Sequence, residues 1–211
     1  MGKLYFYSDQ VNETIGNQRL DKILLEGMDT KNIKIGYIPS TEDKENIYFN
    51  IKLQYYRNYG IQNILFFDLY SELRSSEIDE LLKCDIIHLS AGDSIEFGNA
   101  IQKRNMKNIL CDYFNRGGII VGVSGGAVQL GKSTKLFQMF IGDTEEELET
   151  LNLVNFDFLP HYNRWNDEYK KEVYNYAKNN SITIYAANDG DGIIVEDNKI
   201  QMVGDIVVIN S

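Results

Sequence analysis

Short apolar runs alternate with longer amphipathic stretches through the first two thirds of the chain. The runs are almost continuously apolar, as strands covered on both faces tend to be, and lie at 4–7, 33–38, 63–67, 85–89 and 119–123. The stretches between them have helical spacing and lie at 19–28, 45–58, 76–82, 94–102 and 106–115. Repeated strand–helix alternation predicts an α/β fold of three layers, doubly wound around a mostly parallel sheet with right-handed crossovers.

The last third of the chain has a different pattern. Residues 165–179 predict a helix whose core-facing positions are Trp165, Tyr169, Val173, Tyr174 and Ala177. Four short β-rich runs follow, at 183–187, 192–196, 199–203 and 206–209. Asp197-Asn198 is a tight hairpin signal between two of them. These runs predict an antiparallel edge ribbon at the C-terminal end of one domain that spans residues 1–211.

Composition and charge exclude several kinds of partner. The net charge is −10 and no basic stripe offsets it, so we expect no nucleic-acid partner. The chain has neither an apolar stretch of membrane-spanning length nor a hydrophobic signal core, which predicts a cytoplasmic protein without a membrane partner. The two cysteines, Cys84 and Cys111, lie in apolar contexts without metal-ligand spacing. We therefore expect reduced thiols, no metal and no cofactor.

Ser124 is the strongest candidate for chemistry. It lies where an apolar run meets Gly122-Val123-Ser124-Gly125-Gly126, and Ala127 onwards can begin a helix. A serine between glycines at a strand-to-helix turn is typical of a nucleophile elbow, in which small neighbours permit a strained backbone. Gly-rich turns of this kind also bind phosphates or merely reverse the chain.

A general base for Ser124 has two candidates, because the chain contains only His88 and His161. His161 follows Pro160 at the end of a short apolar run, and a strand end is where sites on such sheets collect. His88 lies inside the buried run at 85–89, which indicates a core histidine. His161 is therefore the predicted base, with a structural histidine as the alternative.

The turn after the run at 85–89 predicts an oxyanion-binding loop. Gly92 lets the backbone approach a ligand and offers an N–H donor, and Gly125 offers a second from the residue after the serine. Asp93 and Ser94 at the same turn are equally explained as helix caps.

The acid that would orient His161 is less well marked. Asp143, which follows Gly142 at the start of an acidic run, is the preferred candidate. The alternatives are Glu146, Glu147, Asp189 and Asp191.

Three of these motifs, in the same order, resemble the serine peptidase family that contains peptidase E (aspartyl dipeptidase) and cyanophycinase, whose fold is similar to class I glutamine amidotransferases. The elbow of that family reads Gly-x-Ser-Ala-Gly-Ala, against residues 122–127 here. Its upstream Gly-Gly-Asn loop corresponds to Ala91-Gly92-Asp93, and its proline-histidine pair to Pro160-His161. The run from Asn188 to Glu196 resembles the turn and strand that pack beside the family's site. Gly125 in place of alanine and Asp93 in place of asparagine depart from the pattern.

The resemblance implies a serine-type peptidase that hydrolyses dipeptides or other short peptides through an acyl-enzyme. Arg164 would bind a substrate carboxylate, or else pair with Asp167 or Glu168 in the following helix. Asp93 would recognise a substrate amine. The spacing from serine to histidine disfavours an α/β-hydrolase, and serine at the elbow disfavours an amidotransferase. The alternative from another class is a non-catalytic small-molecule-binding or regulatory domain that retains the elbow fold.

Overall fold

The structure, a computed structural model, describes residues 2–142 and 149–210. Within them the strands are β1 (Lys3–Tyr7), β2 (Lys34–Ile38), β3 (Asn63–Phe66), β4 (Ile86–Leu89), β5 (Ile119–Val123), β6 (Asp157–Leu159), β7 (Ile184–Ala187), β8 (Gly192–Glu196), β9 (Lys199–Val203) and β10 (Ile206–Ile209). The helices are α1 (Asn17–Leu24), α2 (Ile47–Arg57), α3 (Ser75–Leu81), α4 (Ser94–Lys103), α5 (Met106–Asn115), α6 (Gly125–Leu130), α7 (Lys135–Ile141) and α8 (Asp167–Asn180), with a 3₁₀ turn at Tyr162–Arg164.

The central sheet has the order β3-β2-β4-β5-β1-β8-β9, in which the first five strands are parallel and the last two antiparallel. Strand β1 shows why the apolar runs are continuous. Leu4 and Phe6 pack into one core while Tyr5 and Tyr7 pack into the core on the opposite face. Both faces of the sheet are covered by helices, so both sets of alternating side chains must be apolar. The predicted α/β fold with a mostly parallel sheet is confirmed.

The C-terminal strands differ from the prediction in one respect. Strands β8 and β9 form the expected antiparallel ribbon at the edge of the central sheet, with Asp197 and Asn198 in the left-handed conformation that a tight hairpin requires. Strands β7 and β10 do not join this ribbon. They pair with each other, and β7 also pairs with β6, in a separate sheet of order β10-β7-β6.

A third apolar core explains this second sheet. Ile184, Ala186 and Ile209 of its strands pack against Val173 and Ala177 of α8. The apolar face of α8 is thereby buried away from the central sheet. Tyr174, predicted to face the core, is instead 54% exposed.

No helix in the described part of the chain combines the length and apolar character needed to cross a membrane.

Candidate active site

Ser124 lies at the carboxyl ends of the parallel strands, where β5 passes into α6. Its φ and ψ are 50° and −113°, a conformation that costs a non-glycine residue about 1–3 kcal/mol. The turn is fixed from both sides, because the Ser124 N–H donates to the Tyr7 carbonyl at 2.9 Å and the Ser124 carbonyl accepts from the Val128 N–H at 3.0 Å. A Cβ on Gly126 would overlap the Leu89 and Ser90 carbonyls, so only glycine fits there. The backbone thus has the strand–turn–helix form that the sequence predicts.

His161 and Asp189 complete a chain of hydrogen bonds with Ser124. Ser124 Oγ lies 2.8 Å from His161 Nε2, and His161 Nδ1 lies 2.7 Å from Asp189 Oδ1. The side chains of His161 and Asp189 are only 18% and 17% exposed. Partial burial lowers the local dielectric and strengthens both bonds.

Three side chains of one loop contact Asp189: that of His161 and those of Asn163 and Arg164. Arg164 Nε donates to Asp189 Oδ2 at 2.6 Å, and Asn163 Nδ2 donates to the same oxygen at 3.2 Å. Partial burial by itself raises the pKa of Asp189, but the hydrogen bonds from His161, Arg164 and Asn163 outweigh it and hold that pKa below its ordinary value. Asp189 is therefore a carboxylate at neutral pH.

The structure revises our preference for the acid. Asp143, the first choice, lies outside the described residues, as do Glu146 and Glu147. Asp191 pairs with Arg19 and accepts from the Asp205 N–H, away from the histidine. Among the described residues the carboxylate that contacts His161 Nδ1 is Asp189, an alternative that the sequence left open.

Arg164 and Asp93 each have a structural partner. Arg164 pairs with Asp189 and not with the acids of α8 that the sequence suggested, and its side chain is 57% exposed. Asp93 caps α4, since its Oδ1 accepts from the backbone N–H groups of Ile95 and Glu96 at 2.8 and 3.0 Å.

Gly92 and Gly125 lie in direct contact beside Ser124. Gly92 has φ +145°, and a Cβ there would overlap Ser40 Oγ. A Cβ on Gly125 would overlap the Gly92 carbonyl oxygen, so the alanine of the resembling family does not fit this backbone without a shift of the loop. Neither the Gly92 nor the Gly125 N–H donates a hydrogen bond to another group of residues 2–142 or 149–210. Two backbone donors next to the serine thus remain available.

His88 occupies the core, as its sequence context indicates. It is fully buried in β4, and its Nδ1 lies 2.8 Å from the Tyr56 hydroxyl. Burial lowers the pKa of His88 well below its ordinary value, and nearby Lys52 lowers it further.

The sequence did not single out Ser8, which ties three segments of the site together. The Ser8 hydroxyl accepts from the His161 N–H at 2.7 Å and donates to the Ala187 carbonyl at 3.1 Å. His161 needs such support because its φ is +59°, in the left-handed region. Asp9, the next residue, accepts from the Gly190 N–H at 2.6 Å and so fixes the turn that carries Asp189. The feature of the sequence that could have identified Ser8 is the pair of polar residues, Ser8 and Asp9, directly after the buried strand β1.

Two cavities lie beside the turn at 122–126 that carries Ser124. The smaller, about 80 Å³, is lined by Ser124 and His161 together with aromatic side chains that include Phe140 and Trp165. The larger, about 460 Å³, lies over the carboxyl ends of β1, β2 and β4 and against α2. Gly92 lines both cavities.

In the part of the chain that the structure describes, no group of three or more His, Cys, Asp or Glu side chains is arranged to hold a metal ion.

Comparisons with known proteins agree with this fold. Two solved structures cover the whole chain. The first is a protein provisionally named peptidase E from Listeria monocytogenes EGD-e, with a TM-score of 0.73, 19% identity and 99% of its own chain covered. The second is a peptidase from an acI-B1 Actinobacterium, with a TM-score of 0.72, 18% identity and 91% of its own chain covered. At such identities the likeness shows the fold alone.

The family is shown by the sequence. No curated protein sequence matches the chain. Residues 7–203, from the end of β1 to the end of β9, match the model of peptidase family S51. The chain therefore belongs to peptidase family S51 and is a serine-type peptidase.

Proposed function

We propose that the protein hydrolyses dipeptides or other short peptides through an acyl-enzyme formed on Ser124. The observation that carries this proposal is the continuous chain Ser124 Oγ–His161 Nε2–Asp189 at 2.8 and 2.7 Å. A hydroxyl bonded to an imidazole, which is bonded in turn to a carboxylate, is the arrangement that activates a serine nucleophile. Asp189 takes the role for which the sequence had favoured Asp143.

The reaction has two halves. Ser124 Oγ attacks the carbonyl carbon of the peptide bond while its proton passes to His161 Nε2. The C–N bond then breaks as His161 gives that proton to the leaving amine, and the acyl group stays on Ser124. A water molecule attacks the ester in the second half, its proton passing through His161 back to Ser124 Oγ, and the free acid leaves. Asp189 holds the imidazole in the required tautomer and stabilises its cationic form.

The oxyanion of each tetrahedral intermediate would be bound by the Gly92 and Gly125 N–H groups. Gly125 is the first residue of α6, so its N–H also lies at the positive end of a helix. The loss of one such donor typically costs about 10²–10³-fold in rate. The carboxylate of Asp93 caps the N-terminus of α4, and the dipole of that helix stabilises its negative charge.

Arg164 would bind the C-terminal carboxylate of a dipeptide. Its Nε is occupied by Asp189, but its two terminal nitrogens donate to no other described residue. Arg164 and His161 both contact Asp189, so these nitrogens would be on the same side of the serine as His161, where the leaving amino acid must be in order to receive a proton.

Both cysteines are free thiols, which suits a reducing compartment and supports our placement of the protein in the cytoplasm.

The experiment is a panel of dipeptides varied at the N-terminal residue, assayed beside denatured casein with the wild type and Ser124→Ala. We expect dipeptide cleavage without casein cleavage, and a loss of about 10⁴-fold or more in Ser124→Ala. Casein cleavage without dipeptide cleavage would refute the short-peptide substrate. A protein that cleaves nothing, and whose Ser124 no small fluorophosphonate labels, would instead be the non-catalytic binding domain.

A further inference from the structure

The larger cavity is placed to receive the N-terminal residue of a peptide. It contains Gly92 of the oxyanion-binding pair and Val123, the residue directly before Ser124. A carbonyl group held by the Gly92 and Gly125 N–H groups would therefore have this cavity at its side. His161 lines the smaller cavity, and since His161 must reach the leaving amine, the acyl part of the substrate lies on the opposite side.

Size supports the same assignment. A volume of about 460 Å³ is within the range of small-molecule sites, whereas about 80 Å³ holds only a few water molecules.

One wall of the larger cavity is apolar and exposed. Val11 after β1, together with Tyr48 and Ile51 on α2, lines its mouth, and these side chains are 43%, 55% and 58% exposed. Side chains of this kind gain from contact with an apolar ligand, because each CH₂ removed from water contributes about 0.8 kcal/mol.

Another part of the lining is acidic. Asp93 and Glu96 are both exposed there. Glu96 Oε1 accepts from the Thr41 hydroxyl at 3.0 Å, and its second oxygen accepts from no residue that the structure describes. A carboxylate with a free oxygen beside an open cavity is a suitable partner for an ammonium group.

The cationic side chain that lines the cavity already has hydrogen-bond partners within the protein. Lys52 is the one cationic side chain among the described residues that line it. Its Nζ donates to the Gln10 backbone carbonyl at 2.7 Å and to Gln10 Oε1 at 2.8 Å, and it lies 4.6 Å from the centre of the Tyr55 ring. Burial also lowers the pKa of Lys52 to about 7, so part of its charge is absent at neutral pH. A carboxylate in the cavity would meet Asp93 and Glu96 without a free cation to balance them.

We propose that the larger cavity binds the N-terminal residue of the peptide and selects an uncharged apolar or aromatic side chain together with a free α-amine. The amine pairs with Glu96 and Asp93, and the side chain lies against Val11, Tyr48 and Ile51. This assignment rests on the proposed function. It predicts a substrate preference different from that of a peptidase that selects an acidic N-terminal residue.

The test is the equilibrium binding of dipeptides to Ser124→Ala, which removes the nucleophile and leaves the cavity intact. We expect Phe-Leu to bind at least tenfold more tightly than Asp-Leu, and N-acetyl-Phe-Leu to bind about tenfold more weakly than Phe-Leu. Adding Glu96→Gln to this variant should weaken the binding of Phe-Leu and leave the binding of N-acetyl-Phe-Leu unchanged. Asp197→Asn is the matched control, because it removes one negative charge from the hairpin at the opposite end of the sheet.

A second variant tests the apolar wall. Ile51 is exposed, so Ile51→Asp should fold normally, as its thermal midpoint will show. The substitution should weaken the binding of Phe-Leu about tenfold. Equal or tighter binding of Asp-Leu would overturn the proposal. So would a failure of all three ligands to bind while a fluorophosphonate labels Ser124 of the wild type, an outcome that leaves the proposed function standing. Selective binding of Phe-Leu without Ser124 labelling would overturn the proposed function and retain the cavity.

Discussion

His88 and His161 are the two histidines of the chain, and they lie in opposite environments. His88 sits inside β4 with no solvent exposure, has one hydroxyl partner, and its Nε2 is buried without any partner among the described residues. His161 follows the end of β6, remains partly exposed, and has a partner on each ring nitrogen.

This difference is the one we expect between the histidine proposed as catalytic base and a structural histidine. Both rings are confined by packing, but burial without a carboxylate keeps His88 neutral. The carboxylate of Asp189 lets His161 carry a proton for part of a reaction cycle.

The largest expected effect is that of removing the His161 ring. His161→Ala should lower kcat about 10⁴-fold or more, because Ser124 then has no group to take its proton. The comparison is sharpened by His88→Leu, which should keep kcat within about twofold. A reversed result, with turnover lost in His88→Leu and kept in His161→Ala, would exchange the two roles.

Asp189→Asn should have the next largest effect, about 10³–10⁴-fold on kcat. The amide preserves the shape of the side chain but favours the wrong imidazole tautomer and leaves the cationic form of His161 unsupported. Asp197→Asn makes the same chemical change at an exposed hairpin and should leave kcat unchanged. Full activity in Asp189→Asn would return the orienting role to another acid, Asp143 among them.

Ser8→Ala should lower kcat by about 10–100-fold with little change in KM. The hydroxyl holds the His161 backbone, and small misplacements of a catalytic group cost about this much. Ser133→Ala is the matched control, since it removes another buried hydroxyl, one that bonds to Asp157. Both variants should lose stability, and only Ser8→Ala should lose turnover. Equal kcat values for the two variants would show that Ser8 has no positioning role.

The smallest expected effect is on the pH dependence of stability. Because the pKa of His88 is lowered in the folded state, protons bind preferentially to the unfolded chain as pH falls below about 6.5. The wild type should therefore lose up to about 1.4 kcal/mol of unfolding free energy per pH unit there, relative to His88→Leu. Denaturant unfolding at pH 5 and pH 7 measures the difference. Parallel pH profiles for the two proteins would contradict the account of His88.

Much of the sheet and two members of the proposed triad could be predicted from the sequence, because their signals are local. The apolar run of β5, the glycines around Ser124 and the scarcity of histidines all lie within short windows. Such local signals predict the structure correctly here because each of these segments adopts, in the folded protein, the local structure that its own residues favour.

Asp189 was not accessible in this way. It reaches His161 because β6 pairs with β7 in the second sheet, which aligns the segments after the two strands. Nothing local separates Asp189 from Asp191 two residues later, although only the first faces the histidine. The second sheet was missed for a related reason, since the alternation in β7 and β10 shows a buried face without showing which partner buries it.

The most direct test of the central claim is the rate at which a small fluorophosphonate labels Ser124, mapped by mass spectrometry. If Ser124, His161 and Asp189 act together, labelling of the wild type and of His88→Leu should be fast and confined to Ser124. Labelling of His161→Ala and Asp189→Asn should be slower by orders of magnitude. Labelling at another serine, or an equal rate in His161→Ala and the wild type, would contradict it.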